Sequence, residues 1–165
     1  MKNKLLLTAF AAPLFAGLAL SVCATTAMAA GKTSIVVGAD TTFPPFETEV
    51  NGKVSGFDID MIEAIAKAEG LTITLKTMPF NGIIPSLQAG SIDAAVAGIT
   101  IKTSRMQSVD FSDAYYKSGL SVLVKDNSKI KDFADLKGHV VATKKATSSV
   151  DYMTAHGIDP QYIKQ

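Results

Sequence analysis

An α/β fold built on a parallel sheet is predicted first by the order of the segments. Short β-branched runs alternate with helical patterns as β-α-β-α-β, and parallel neighbours need such crossovers. The residues that interrupt the apolar pattern gather just after the strands, where open α/β sheets bind their ligands. Composition agrees: of 165 residues, 47% are hydrophobic and 19% charged, a globular balance.

The first 29 residues read as a removable leader. Lys2 and Lys4 are its positive start, Leu5 to Val22 its apolar stretch, and Ala27-Met28-Ala29 its cleavage pattern, so cleavage is expected after Ala29. The rival reading, a membrane anchor, lacks a basic flank after the apolar run. Cys23 follows the bulky Val22, where a lipid-attachment site wants Gly or Ala, so it leaves with the leader and no disulfide is expected. Removing two lysines takes the net charge from +1 to −1, which argues against a nucleic-acid partner. No second apolar run approaches the ~20 residues of a membrane span. A periplasmic location fits these features.

Ser34 to Ala39 is a buried-type strand ended by Asp40, and Phe43-Pro44-Pro45-Phe46 cannot extend it because proline donates no ladder bond. Glu47 to Val50 and Lys53 to Ser55 flank Asn51-Gly52 as a hairpin. A helix follows, with Asp58 as its cap, Phe57 stapled to Ile62, an apolar face of Ile59, Ile62, Ile65 and Ala66, and Gly70 at its end. Leu71 to Leu75 alternates as a strand. Asn81 to Gly90 is a short helix if Pro85 falls in its first turn, and Ile92 to Ala97 is a third, tightly buried strand. A turn or helix at 103–107 precedes the extended run Ser118 to Val124. A helix near 132–136, a strand at 140–143 and a helix near 149–156 then begin a second lobe. There is no internal repeat and no low-complexity tract.

Asp40 and Phe43 follow the first strand, Phe80 the second, Gly98, Thr100 and Arg105 the third, and Lys144 to Ser148 the strand of the second lobe. An arginine fork, an acid and aromatic faces suit a small zwitterion. Each residue also has a plainer reading: Asp40 as a turn residue, the phenylalanines as core, Arg105 and Lys144 as solvated surface, Thr147 to Ser149 as a helix cap. The Cys/His clusters, carboxylate rings, G-x-S-x-G, H-E-x-x-H and P-loop patterns of metal sites and common enzymes are missing. His139 and His156 fall outside the inferred cleft.

Several segments resemble the extracytoplasmic solute-binding proteins for polar amino acids, glutamine-binding type, that serve ABC importers. They are Gly38-Ala39-Asp40 through Phe46, Gly56-Phe57-Asp58-Ile59-Asp60, Met78 to Pro85, Ala97-Gly98-Ile99-Thr100 with Arg105, Val109 to Ser112 with Tyr115-Tyr116, and Ser149 to Tyr152. The resemblance implies a type II periplasmic-binding-protein fold, two lobes with a hinge, and non-catalytic capture of an amino acid for an ABC permease. The ligand would be glutamine before glutamate or histidine, the protein a monomer without cofactor or metal. Carried over by position, Arg105 would hold the α-carboxylate with the backbone at Thr100 and near Ser148. Asp40 would accept from ligand N–H groups, Phe43 and Phe80 would sandwich the side chain, Ala97 and Gly98 would offer carbonyls, and Lys144 would approach from the second lobe. The implied division is 30–115 for the first lobe, 116–120 for a hinge strand and 121–165 for part of the second lobe. The loop from Lys144 to Ser148 departs from the family by lacking its glycines. The family's second lobe also continues further and crosses back to the first. The chain therefore reads as an N-terminal portion, and residues 30–165 alone are expected to show no thermal shift with excess glutamine. A dehydratase-like enzyme on the same fold and a receptor sensor lobe are the competing classes.

Overall fold

The computed structural model describes residues 33–164, so the leader and its cleavage site lie outside the described residues. Strand β1 (Ser34–Ala39) is the centre of a three-stranded parallel sheet. From it the chain enters a small antiparallel sheet of β2 (Thr42–Phe43), β3 (Glu47–Val50) and β4 (Lys53–Ser55). The β3–β4 hairpin matches its predicted bounds, with φ of 52° and 76° at Asn51 and Gly52, the signs a type I′ turn requires.

Helix α1 (Phe57–Ala68) starts two residues earlier than predicted. Gly56, not Asp58, is the flanking residue, and its φ of 134° and ψ of 174° explain why a glycine stands there. Asp58 lies inside the first turn, fully buried, so its carboxylate serves another purpose. Strand β5 (Thr72–Thr77) pairs with β1 in parallel, Val37 opposite Leu75. Helix α2 (Phe80–Gln88) begins before the predicted Asn81, because Asp40 accepts the Phe80 N–H at 2.8 Å. Pro85 therefore sits inside α2 rather than in its first turn. Strand β6 (Ala94–Val96) completes the sheet in the order β5-β1-β6.

The twofold alternation of β1 divides its side chains between two cores. Val37 and Ala39 pack with Ile59 of α1 and Val96, while Val36 faces the cluster of Ile83, Ile92 and Ala97 beneath α2. With both faces covered, the carboxyl ends of the strands are held in one row: Ala39 pairs with Thr77 and with Val96. Asp40, Met78 and Ala97 consequently emerge side by side, and Met78 donates its N–H to Ala39 O at 3.0 Å.

Beyond the short helix α3 (Thr103–Met106), residues 110–125 form no strand, although Ser118 to Val124 reads as one. A strand requires a hydrogen-bonded neighbour, and none lies beside this segment among the described residues. Leu123 is 98% exposed as a result. A second core of Leu136, Met153, Ile158 and Ile163 joins a 3₁₀ turn (Ala134–Leu136), β7 (Val141–Ala142), α4 (Ser148–Ala155) and β8 (Ile163–Lys164), with β7 and β8 parallel. No helix among the described residues is long and apolar enough to cross a membrane.

Candidate functional site

A cavity of about 430 Å³ opens at the carboxyl ends of β1 and β5 and is lined by Asp40, Thr42, Met78, Phe80, Lys144 and Lys145, among others. Four of the predicted residues converge beside it. Asp40 is 3% exposed, and its carboxylate is surrounded by donors. Oδ1 accepts from the Thr42 N–H at 2.8 Å and the Thr42 hydroxyl at 2.6 Å. Oδ2 accepts from the Phe80 N–H and pairs with Lys144 Nζ, both at 2.8 Å. Burial alone would raise the Asp40 carboxyl, but the Lys144 ion pair and the Thr42 bonds outweigh it and hold the group below its ordinary value. That contribution to stability is present above the unfolded carboxylate value and lost as pH falls through the lowered one.

Arg105 is buried at 8% exposure, not solvated. The one-turn helix α3 points it back toward the sheet, where Nη1 donates to Thr100 O and Nη2 to Ala146 O, each at 2.9 Å. Its guanidinium carbon stands 5.4 Å from the Phe80 ring centroid, and Lys144 Nζ stands 5.7 Å from the same ring. Burial lowers the guanidinium from its ordinary value, opposed by the charge of Asp151. Phe80 thus lies among two cations and an acid. Lys102, which flanks α3, also pairs with Asp151 of α4, a second ionic link between the two sequence regions.

The other predicted residues are placed around this centre. Ala97 is buried in the α2 core. Thr100 is exposed and contributes its carbonyl to Arg105. Ser148 opens α4, half-buried, with its hydroxyl oxygen enclosed and unpaired. Ala146, two residues before it, takes φ of 62°, so the loop reaches a left-handed conformation without the glycine expected there. Phe43 stacks on Phe46 at 5.2 Å and 15°, and also covers Gly98.

Gly98 has φ of 51°, and a Cβ there would stand 2.8 Å from Phe43 Cε1. Phe43 is 43% exposed and its ring can swing away, so the backbone conformation sets most of the cost. Gly98→Ala is expected to lose about 1–2 kcal/mol, readable by urea unfolding, with Phe43 displaced.

Sequence reasoning missed Glu47, Asp58 and Tyr115. Asp58 Oδ2 accepts from the Gly98 N–H at 3.1 Å and from the Tyr115 hydroxyl at 2.8 Å. Burial and the Asp58 carboxylate push the Tyr115 phenol well above its ordinary value, so it remains a donor. Asp58 read as a cap because a helix start favours Asp, and nothing in Glu47-Thr48-Glu49-Val50 marks its first residue as buried. His139 and His156 line neither this cavity nor its ion pairs; His156 stacks on Tyr152 at 3.9 Å. Among the described residues no group of three or more His, Cys, Asp or Glu is placed to hold a metal ion.

Residues 35–159 match the model of the bacterial extracellular solute-binding proteins, family 3. The arginine-binding extracellular protein ArtP of Bacillus subtilis is 31% identical over 164 residues, which cover 98% of this chain and 62% of the relative. A glutamine-binding protein of Geobacillus stearothermophilus is 40% identical over 123 residues, 72% of this chain and 47% of the relative. Among solved structures, an ancestral arginine-binding protein bound to glutamine superposes with a TM-score of 0.73 at 43% identity, over 80% of this chain and 59% of the other. The chain thus spans about half to three-fifths of the length of these relatives.

Proposed function

We propose that this chain, which belongs to family 3 of the bacterial extracellular solute-binding proteins, captures a polar α-amino acid outside the cytoplasm and passes it to an ABC permease. Its fold is that of the type II periplasmic binding proteins. The reading extends to export through a leader cleaved after Ala29, a periplasmic location, a monomeric state, capture without turnover, and the division into a first lobe to residue 115, a hinge at 116–120 and a second lobe from 121.

Glutamine is the ligand this reading favours. The observation that carries it is the Asp40–Lys144 ion pair at 2.8 Å beside the Phe80 ring. Asp40 would be the natural partner of a cationic side chain, yet Lys144 already neutralises it. With Arg105 also facing Phe80, the surroundings carry an excess of positive charge. That charge attracts an α-carboxylate and opposes an arginine or lysine side chain, while an amide has no charge to be opposed. In this arrangement Arg105 holds the carboxylate, Phe80 covers the aliphatic stem, and Asp40 accepts from the amide once Lys144 yields one position. Thr100, Ala97, Gly98 and Ser148 supply backbone and hydroxyl partners, and Phe43 closes the far side.

Backbone amide spectra of the chain titrated with amino acids test this even where affinity is weak. Glutamine should move the signals of Phe80, Gly98 and Arg105, and arginine should move them less. Lys144→Met should free Asp40 and shift the preference toward arginine by about tenfold, since one ion-pair partner is exchanged for another. An unchanged preference in that variant would remove the argument for glutamine.

A further inference from the structure

We propose that Glu47 and Asp58 hold one proton between them, and that this proton positions the Gly98 amide and the Tyr115 hydroxyl at the edge of the cleft. Both carboxyl groups are completely buried, on two elements bolted together at this point. The N–H groups of Phe57 and Asp58 donate to Pro45 O and Phe46 O, each at 3.1 Å, so the first turn of α1 is seated on the residues that lead into Glu47. Glu47 lies within hydrogen-bonding reach of Asp58. Neither Glu47 oxygen has a donor, and neither has Asp58 Oδ1. Two ionised carboxylates facing each other without a donor would be strongly unfavourable in a buried site. A single shared proton satisfies the facing oxygens together.

Geometry also says which group carries the charge. The Gly98 N–H and the Tyr115 O–H both point to Asp58, which sits in the first turn of α1 where the helix favours an anion. No donor reaches Glu47, so the proton resides there and the Glu47 O–H donates to Asp58. The charged or titratable groups around Glu47 are Asp58 from α1, Asp40 from the end of β1, Lys144 from the second region and, through Asp58, Tyr115. Burial first, then Asp58 and Asp40, push the Glu47 carboxyl up to about 9, with Lys144 opposing.

The sign follows from the raised value. Above the ordinary glutamate range the unfolded chain has released this proton while the folded chain keeps it. Stability from this group therefore falls as pH rises, and is gone above about pH 9. Its consequence for ligand capture, weaker binding once Gly98 loses its anchor, rests on the reading of the cleft as an amino-acid site. The proton itself does not.

The test uses the whole chain without an amino acid. With ¹³C-labelled glutamate side chains, one carboxyl signal should keep its neutral-form position through the ordinary glutamate range and titrate only near about pH 9, and Glu47→Gln should lack that signal. The same variant keeps a donor to Asp58, so it should fold and should flatten the fall in melting temperature expected of the natural chain between about pH 6 and about pH 9.5. Glu47→Met keeps the volume but no donor, and hydrogen exchange at the Gly98 amide should quicken by about tenfold or more at neutral pH. The proposal is overturned if every glutamate carboxyl titrates in the ordinary range, or if Glu47→Gln shows the same decline with pH as the natural chain. Should Glu47→Gln fail to fold, the titration of the natural chain decides alone. Failure of amino-acid capture would leave all these readouts unaffected.

Discussion

Gly56→Ala should leave most of the chain unfolded. At φ 134° and ψ 174°, Gly56 occupies a region essentially closed to residues with a Cβ. A Cβ there would lie 2.2 Å from Phe46 O, 2.7 Å from Phe46 C and 2.9 Å from Pro45 O. All three are backbone atoms, and the two oxygens accept the first N–H groups of α1. Relief of the overlap must therefore open the junction between β3 and α1, and with it the contact of Glu47 with Asp58. A loss of about 4 kcal/mol or more is expected, comparable with the whole stability of a marginal domain. Gly52→Ala is the control, since Gly52 also has a positive φ, 76°, but nothing lies within 4 Å of its Cβ position. That change should cost only about 1 kcal/mol. Circular dichroism and urea unfolding of the two variants measure the difference, and equal losses would show that the junction does not matter.

Arg105→Lys should weaken amino-acid capture by about 100-fold although the charge is kept. The guanidinium donates from two nitrogens in fixed directions, to Thr100 O and Ala146 O, while lying against Phe80. An ammonium group is smaller and rounder, and cannot span both carbonyls and present a fork to a carboxylate. The change should also cost about 1–3 kcal/mol, because the buried Arg105 side chain gives up one of its two charged hydrogen bonds. Comparing glutamine-induced spectral changes with unfolding curves separates the two effects: a capture defect larger than the stability loss marks the lost fork. Equal capture by the lysine variant would assign the carboxylate to another group.

The parallel sheet was legible because its strands are β-branched and its helices periodic. Ser34–Ala39 and the β3–β4 hairpin occur where the pattern puts them, since alternation and an Asn-Gly turn are local signals. Segment 118–124 was not legible, because β-branched residues report a preference for strands and not the presence of a partner. The start of α2 was missed because it depends on a carboxylate forty residues away, which no local rule contains.

For the site the division is similar. The residue types at the strand ends could be named from sequence, since the carboxyl ends of a parallel sheet bring Asp40, Phe80, Thr100 and Arg105 to one rim whatever the details. Their partners could not. Asp40 meets Lys144, and Arg105 meets Ala146, across separations of 104 and 41 residues read from their positions. The seating of β3 on α1 alone turns Glu47 from an ordinary hairpin residue into a buried acid. Sequence by itself determined the succession of strands and helices, the hairpin and the chemical inventory of the rim, because local periodicity and turn chemistry act over a few residues. Only the tertiary structure decided which charges neutralise each other and which acid keeps its proton, because desolvation and Coulomb interactions depend on distance in space, not along the chain.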